Sequence, residues 1–407
     1  MPRLVRCSRV VSGPGDHKEV LGRNVRRREM LQMVPGTVGA ALVLSHETPA
    51  VAAPKAVKLS SKWETEAFAA GTTFEQSAYE SMRDDAARTP LFEKALNRRL
   101  NGTSNVSVVD VGTGPFAVLA ICAAKAGARQ VYAIEADPTA AKLAREAIAR
   151  EGLQDRVQVI EGLSTAVDLP EKVDLLVAEV IGSVATEEGV YRTIRDAQAR
   201  FMLNPEDPRN YIPFRVQTLV APAAYAFHYM IAAEGRKAAG LASEDGPLRL
   251  NCTDKTLALM DEPQVLEDFR YNDPNLPGPG LWTPPKDLLF TVSSGKLAEN
   301  TRMFMVSLGF DGIPVKDAKL VSEGVAKGFS GIAMWPRLIL DEEEDLVVEA
   351  RGVRGQAQKS HWQTVLPLMV QTPLPLLVGD TIKVSASANF SDDRAPAYQL
   401  DAEIRRA

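Results

Sequence analysis

Between residues 106 and 179 the chain alternates short, almost wholly apolar runs with stretches of small or amphipathic residues. The apolar runs are VSVVDV (106–111), QVYAIE (130–135), VQVIEG (157–162) and VDLLVAE (173–179). Between them lie a small-residue helix over 117–126 that ends at Gly127 and a second helix through Arg150. Strands alternating with helices at this spacing predict an α/β, doubly wound and mainly parallel sheet of Rossmann-like form. After Pro222 the rhythm changes to short β runs with turn residues: LLFTVSSG, MFMVSLGF, GFSGIAMWP, LVVEARG, HWQTVLPLMV and IKVSASANF. These predict a mostly antiparallel, β-barrel-like domain. The expected organisation is a helical segment over 54–105, a nucleotide-binding domain over 106–222 and a β-barrel-like domain over 223–407. No internal repeat and no Gly/Ser-rich linker divides them.

The first 53 residues follow another pattern. An arginine-rich head runs to Arg28, a moderately apolar run follows from Met30 to Leu44, and the segment ends on Ala50-Val51-Ala52-Ala53. Basic head, apolar middle and small-residue end make an export-type targeting presequence. Pro35 and Gly36 break the apolar run, which is too short to span a bilayer. Within it, Arg27-Arg28-Glu29-Met30-Leu31-Gln32 approximates a twin-arginine motif. The late start of the apolar run resembles a plastid transit peptide followed by a thylakoid-lumen transfer signal. A bacterial twin-arginine signal to the periplasm is the alternative, and a solvated basic tail is the third reading.

Composition narrows the function classes. The 407 residues are 45% apolar and 24% charged, as in an ordinary globular protein. Three cysteines without paired spacing, four histidines and no HExxH exclude a disulfide framework and leave no expected metal site. The net charge of -5 combines a +4 leader with an acidic body, which does not suit a nucleic-acid partner.

Ligands of doubly wound sheets bind beyond the carboxyl ends of the strands. Here those ends carry Gly112, Gly114, Glu135, Ser164 and Glu179. Gly112, Gly114 and Ala117 satisfy G-x-G-x-x-A, and Glu135 is placed to hold a ribose, so a nicotinamide dinucleotide is one reading. Asp110 argues for another. A carboxylate two residues before the first glycine does nothing for a pyrophosphate, whereas it suits a cofactor with a cationic amine end, such as S-adenosylmethionine.

From these residues onward the chain resembles the protein arginine N-methyltransferases, over nearly all of 74–407. DVGTG…AAKAGARQVYAIEADP (110–138) is close to that family's cofactor-binding run, and YESMRDDAART (79–89) looks like its helical lid. Glu179-Val180-Ile181-Gly182 with Glu187-Glu188-Gly189 resembles its double-glutamate loop, and Ser360-His361-Trp362 its Thr-His-Trp loop. The resemblance implies that S-adenosylmethionine is the cofactor. Arg88 would bind its methionine carboxylate and Met82 would pack near the methyl. Asp110, Gly112 and Gly114 would form the binding loop, Glu135 would hold the ribose, and Ser164 and Thr165 would flank the adenine. Glu179 and Glu188 would grip the substrate guanidinium, and Asp85 with His361 would pass on the released proton. It also implies a protein substrate bearing arginine and a homodimer, with a helical stretch inside 223–265 the candidate for a dimerisation arm.

Physical chemistry supports a double carboxylate in that role. Arginine stays protonated and offers little free electron density. Two carboxylates offset its repulsion from a sulfonium and localise charge on one nitrogen. Taken singly, each residue has a plainer role: Glu179 as a helix cap, Glu187 and Glu188 as solvated acids, His361 as a satisfied barrel residue, Arg88 as a surface salt-bridge partner. The acidic run 341–345 reads as a turn, with attraction of basic substrates as a second role.

The chain also departs from the family. Pro115 and Phe116 follow Gly114 where a third glycine is usual, Tyr79 stands where histidine is common, and Thr165 replaces an acid. An aromatic motif expected before the lid is not evident in FAAGTTF (68–74). Two other functions therefore stand beside arginine methylation: a binding or scaffold protein that keeps the fold, and a methyltransferase acting on a small amine or guanidine.

Overall fold

The computed structural model describes residues 56–65, 76–228, 246–351, 360–392 and 394–407. The targeting leader, the stretch 68–74 and the central part of the candidate dimerisation arm lie outside the described residues. Within those residues no helix is long and apolar enough to cross a membrane.

The nucleotide-binding half is built as the apolar runs predict. Strands β2 (Ser107–Val111), β3 (Gln130–Glu135), β4 (Val157–Glu161), β5 (Leu175–Ala178) and β6 (Tyr211–Ile212) form one sheet in the order β4-β3-β2-β5-β6. Every pairing in it is parallel. All five residues of β2 are buried, which is why its sequence shows no alternation. Helix α3 (Val118–Lys125) packs close because Ala120, Ala123 and Ala124 bring almost no side-chain bulk. Helix α4 (Pro138–Arg150) starts at Asp137, whose carboxylate accepts the Ala140 N–H at 2.6 Å. The strand order reverses at β2, so the crevice opens beside β2 and β5 at their carboxyl ends.

Two helices precede this sheet, α1 (Gln76–Arg83) and α2 (Thr89–Leu100), and α5 (Val190–Arg200) follows β5. Residues 56–64 depart from the helical expectation. They form strand β1 (Ala56–Glu64), which pairs antiparallel with the last strand, β19 (Ala397–Arg405). Alternation explains this: Val57, Leu59 and Trp63 share one face, opposite Ile404, Ala402 and Tyr398. The Trp63 and Tyr398 rings stack with centroids 5.3 Å apart.

Most of the remaining chain is antiparallel. Strand β7 (Arg215–Tyr225) pairs with β14 (Gly331–Ile339) over nine residues and with β10 (Gln264–Arg270) on its other side. Strands β16 (Gln363–Leu366) and β8 (Leu248–Asn251) extend the sheet. A second sheet contains β1, β19 and β18 (Thr381–Phe390). The described part of 223–265 forms the end of β7, β8, β9 (Leu257–Leu259) and the start of β10, and of those described residues only His228 is helical.

One run was misread. MFMVSLGF, expected as β, lies largely in helix α6 (Ser294–Ser307), which forms a hairpin with α7 (Val315–Lys327). Leu297, Thr301 and Phe304 are buried at helical spacing, and Ser293 caps the start by accepting the Lys296 N–H. The acidic run also has an internal role: Asp341, Glu343 and Asp345 converge on Arg98 of α2, and Glu344 pairs with Arg215. These contacts tie α2 to the antiparallel half.

Trp63 is buried, so replacing it with alanine leaves a large void under β19. We expect Trp63→Ala to lower unfolding free energy by about 3 to 5 kcal/mol in a denaturant titration. A loss below about 1 kcal/mol would show that β1 is dispensable.

Candidate active site

A cavity of about 900 Å³ opens at the carboxyl ends of β2, β3 and β5. It is walled by the lid residues Tyr79, Met82 and Arg83, by the Gly112–Phe116 loop, by the glutamate loop and by His361 and Trp362.

The lid reaches the cavity through a turn built on Asp85. One carboxylate oxygen of Asp85 accepts the backbone N–H groups of Ala87 and Arg88. The other accepts from His361 N at 2.9 Å, His361 Nδ1 at 2.8 Å and Ser360 Oγ at 3.1 Å. Burial opposes ionisation of Asp85, but the His361 and Ser360 hydrogen bonds outweigh it and hold its pKa below the usual carboxylate range. An ionised Asp85 only accepts, so His361 carries its proton on Nδ1 and keeps Nε2 as the second ring nitrogen. Lid and barrel are thereby joined by a single buried carboxylate.

Arg88 is buried on the same turn. Its guanidinium donates to Glu179 at 2.7 Å and to the Met82 carbonyl at 2.9 Å, while its Nε is buried without a partner. The surface salt-bridge role is therefore wrong for Arg88, because both ends of its pair with Glu179 are shielded from water.

The glycine loop does what its spacing suggests. Gly112 and Gly114 both have positive φ, and a Cβ on Gly112 would lie 3.1 Å from the Val180 side chain. Below the loop Asp110 is buried and accepts the Thr113 hydroxyl at 2.6 Å. Burial pushes Asp110 up to about 6, against the Thr113 and Ala120 hydrogen bonds and the Arg88 charge. Glu135 accepts the backbone N–H groups of Gly114 and Asp137, both at 2.9 Å. Phe116 lies under the Arg83 guanidinium, 4.6 Å from its ring centroid, and the cavity stays open beside it.

The glutamate loop is folded back on itself. A Cβ on Gly182 would come within 2.5 Å of the Glu187 Cβ, so only glycine lets Glu187 cross there. Glu187 was expected to be a solvated acid. Instead it is buried, accepts the Val184 N–H and pairs with Arg249 of β8 at 2.6 Å. Glu188 makes no ion pair among the described residues. Its own burial, then the charges of Glu179 and Glu187, push it up to about 8, with Arg249 pulling the other way.

Structure and sequence reading differ at two further positions. Ser164 and Thr165 do not line the cavity. The Ser164 carbonyl accepts from Arg200, and the Thr165 hydroxyl accepts from Arg192 at 3.3 Å. The remaining candidates, Asp85, Met82, Arg88, Asp110, Gly112, Gly114, Glu135, Glu179, Glu188 and His361, line the cavity or contact a residue that does. Sequence reasoning missed Arg249, which stands in a short alternating strand without a motif. It also missed the ties of Trp362 Nε1 to the Ile181 carbonyl at 2.8 Å and of the Gln363 N–H to Ser183 Oγ at 3.0 Å. These last two fix the His361 loop against the glutamate loop.

Comparison with known proteins agrees with this architecture. The family model described as ribosomal protein L11 methyltransferase (PrmA) matches residues 88–192. The histone-arginine methyltransferase CARMER of Anopheles gambiae is 34% identical over 117 residues, 29% of this chain and 18% of that protein. Protein arginine N-methyltransferase PRMT10 of Oryza sativa subsp. japonica is 37% identical over 118 residues, 29% of this chain and 30% of that protein. The matched segments thus span well under half the length of these curated relatives. Among solved structures, protein arginine methyltransferase 10 of Arabidopsis thaliana superposes with a TM-score of 0.59 at 18% identity, over 82% of this chain and 94% of that one. The PRMT1 enzyme-prozyme complex of Trypanosoma brucei gives 0.55 at 18% identity, over 81% and 99%. The fold is that of a Rossmann-like methyltransferase domain joined to a β-barrel-like domain. The sequence matches to arginine methyltransferases are confined to about 30% of this chain, and the solved structures share its fold.

The raised Glu188 predicts a pH-dependent cation site. A guanidinium ligand would keep its charge at neutral pH, so binding at the Glu188 carboxylate would displace a proton. Affinity for an arginine-containing peptide should therefore rise about tenfold between about pH 7 and about pH 9, with close to one proton released per ligand near pH 7 and almost none near pH 9, by calorimetry in buffers of different ionisation enthalpy. A flat profile would remove Glu188 as the anchor.

Proposed function

We propose that the chain is an S-adenosylmethionine-dependent protein arginine N-methyltransferase, transferring methyl groups to guanidino nitrogens of arginine in proteins. The observation that carries this reading is one cavity with the Gly112–Gly114 loop and Glu135 on one side and Glu179, Glu187 and Glu188 on the other.

The residues present fit the cofactor. The buried, unpartnered Arg88 Nε suits a carboxylate, Glu135 suits ribose hydroxyls, and the cavity passes close to a backbone without side chains at Gly112 and Gly114. Asp110 supports a cationic amine and would repel a pyrophosphate. When bound, S-adenosylmethionine supplies a methyl group activated by a sulfonium. The chain's own part is alignment and charge. Glu188 and Glu179 hold the guanidinium so that one nitrogen faces the Met82 side of the cavity. His361, fixed by Asp85, offers Nε2 to the proton that the product must lose.

The test is calorimetric binding of S-adenosylmethionine to residues 54–407, followed by labelled-methyl transfer to an arginine-rich protein. Label recovered in methylarginine supports the reading. Binding without transfer to protein, but with transfer to free guanidines, supports a small-molecule enzyme, and absence of binding supports a scaffold role. Removing one carboxylate from a charge clamp costs roughly 3 kcal/mol at the low end, so Glu188→Gln should lower turnover at least about a hundredfold. Near-normal turnover would sink the assignment of Glu188.

The address in residues 1–53 extends the proposal to a plastid location, stroma or thylakoid lumen, with a bacterial periplasm as the alternative. N-terminal sequencing of mature protein should give a start near Ala53, and a mature chain that retains residue 30 would count against lumenal or periplasmic cleavage.

A further inference from the structure

Behind the glutamate loop lies a second buried acid that the proposed chemistry does not use. Glu267 sits on β10, where the pairing with β7 shifts register between Val265 and Glu267. That bulge turns the Glu267 side chain inward beside the neighbouring Leu266, so that both are buried in consecutive positions. Glu267 is 1% exposed and forms no ion pair among the described residues. The titratable groups facing it are Glu187, Tyr191 and Tyr398, with Arg249 beyond Glu187.

Its two oxygens end two hydrogen-bond relays. Thr186 Oγ1 donates to Oε1 at 2.8 Å, and because that hydroxyl has one proton, Tyr398 must donate in turn to Thr186 across their 2.6 Å contact. Thr218 Oγ1 donates to Oε2 and accepts the Ala185 N–H at 3.0 Å. Both relays thus finish on Ala185 and Thr186, immediately before Glu187 and Glu188. Burial raises Glu267 to about 7, and the two threonine hydroxyls keep it from going higher.

We infer that Glu267 is a positioning residue for the acceptor-binding loop: as the common acceptor of the Thr186 and Thr218 relays, it fixes the backbone that presents Glu187 and Glu188. An amide in its place keeps the volume and one acceptor but puts a donor where the threonine already donates, so one relay must reverse. A leucine of similar size would keep neither.

The kinetic part of the test rests on the arginine methyltransferase reading, and the structural part does not. In Glu267→Gln and in Thr186→Val, amide hydrogen exchange over residues 184–188 should rise about tenfold while β2 and β3 stay as in wild type, as expected for loss of one buried hydrogen bond. The KM for an arginine peptide should rise about tenfold, with the S-adenosylmethionine Kd unchanged. The double variant should cost no more than the larger single one, because both changes cut the same relay. Wild-type exchange over 184–188 in Glu267→Gln would overturn the inference. So would equal losses in acceptor and cofactor binding, which indicate general damage. Raised loop exchange in a chain that binds no arginine peptide even as wild type would leave the positioning role intact and sink the substrate reading instead.

Discussion

Carboxylates crowd one cavity, and the rest of the architecture depends on how each is held out of bulk water. Asp85, Asp110, Glu135, Glu187 and Glu267 are all buried, and Glu179 is nearly so beside the only partly buried Glu188. An isolated ionised carboxylate in such surroundings neutralises rather than persists. Each acid here has its own remedy. Glu179 and Glu187 take arginines, Asp85 takes the His361 loop, Glu135 takes two backbone N–H groups, and Asp110 and Glu267 take threonine hydroxyls. Removing one partner from a buried pair costs roughly 3 to 5 kcal/mol, so these partners cannot be exchanged independently.

The remedies come from distant parts of the chain, which explains why both architectural halves are needed around one cavity. Arg88 arrives from the lid turn, Arg249 from β8, and Trp362 and Gln363 from the segment entering β16. Trp63, in the first described strand, stacks on Tyr398, and Tyr398 contacts Thr186 in the glutamate loop. A loop that carries acids is held from behind by a barrel that supplies hydroxyls and a cation. Gly182 makes that compact folding sterically possible.

The parallel sheet was legible because its strands are continuous apolar runs and its loops carry glycines whose φ values require them. The lid, the double-glutamate loop and the His361 loop were legible as motifs. Other features depended on pairings that sequence alone does not state. The VKLSSKW stretch alternates as a strand, yet only its partner strand at the far end of the chain, from Tyr398 to Ile404, makes it one. MFMVSLGF has β-prone residues, but Ser293 and the helical spacing of its buried side chains decide otherwise. Arg249 and Glu267 carry no local signal, since one is defined by Glu187 across the cavity and the other by a bulge. Thr165 was assigned by position in a motif, while the Arg192 contact that occupies it comes from α5.

The unequal treatment of the three loop acids bears on what the cavity accepts. Glu179 is offset by Arg88 and Glu187 by Arg249, so these four residues bring no net charge. Glu188 alone lacks a cation, and below about pH 8 it relieves the strain by holding a proton. Glu179, Glu187 and Glu188 together with Arg88 and Arg249 then carry little net charge at neutral pH. A neutral ligand offers no compensation for removing that proton, whereas a fixed cation does. A second free carboxylate would leave an uncompensated charge in the resting protein, and a third arginine would fill the place intended for the ligand. One unpaired acid among paired ones is the arrangement that would favour a single positive group, in keeping with the proposed guanidinium ligand.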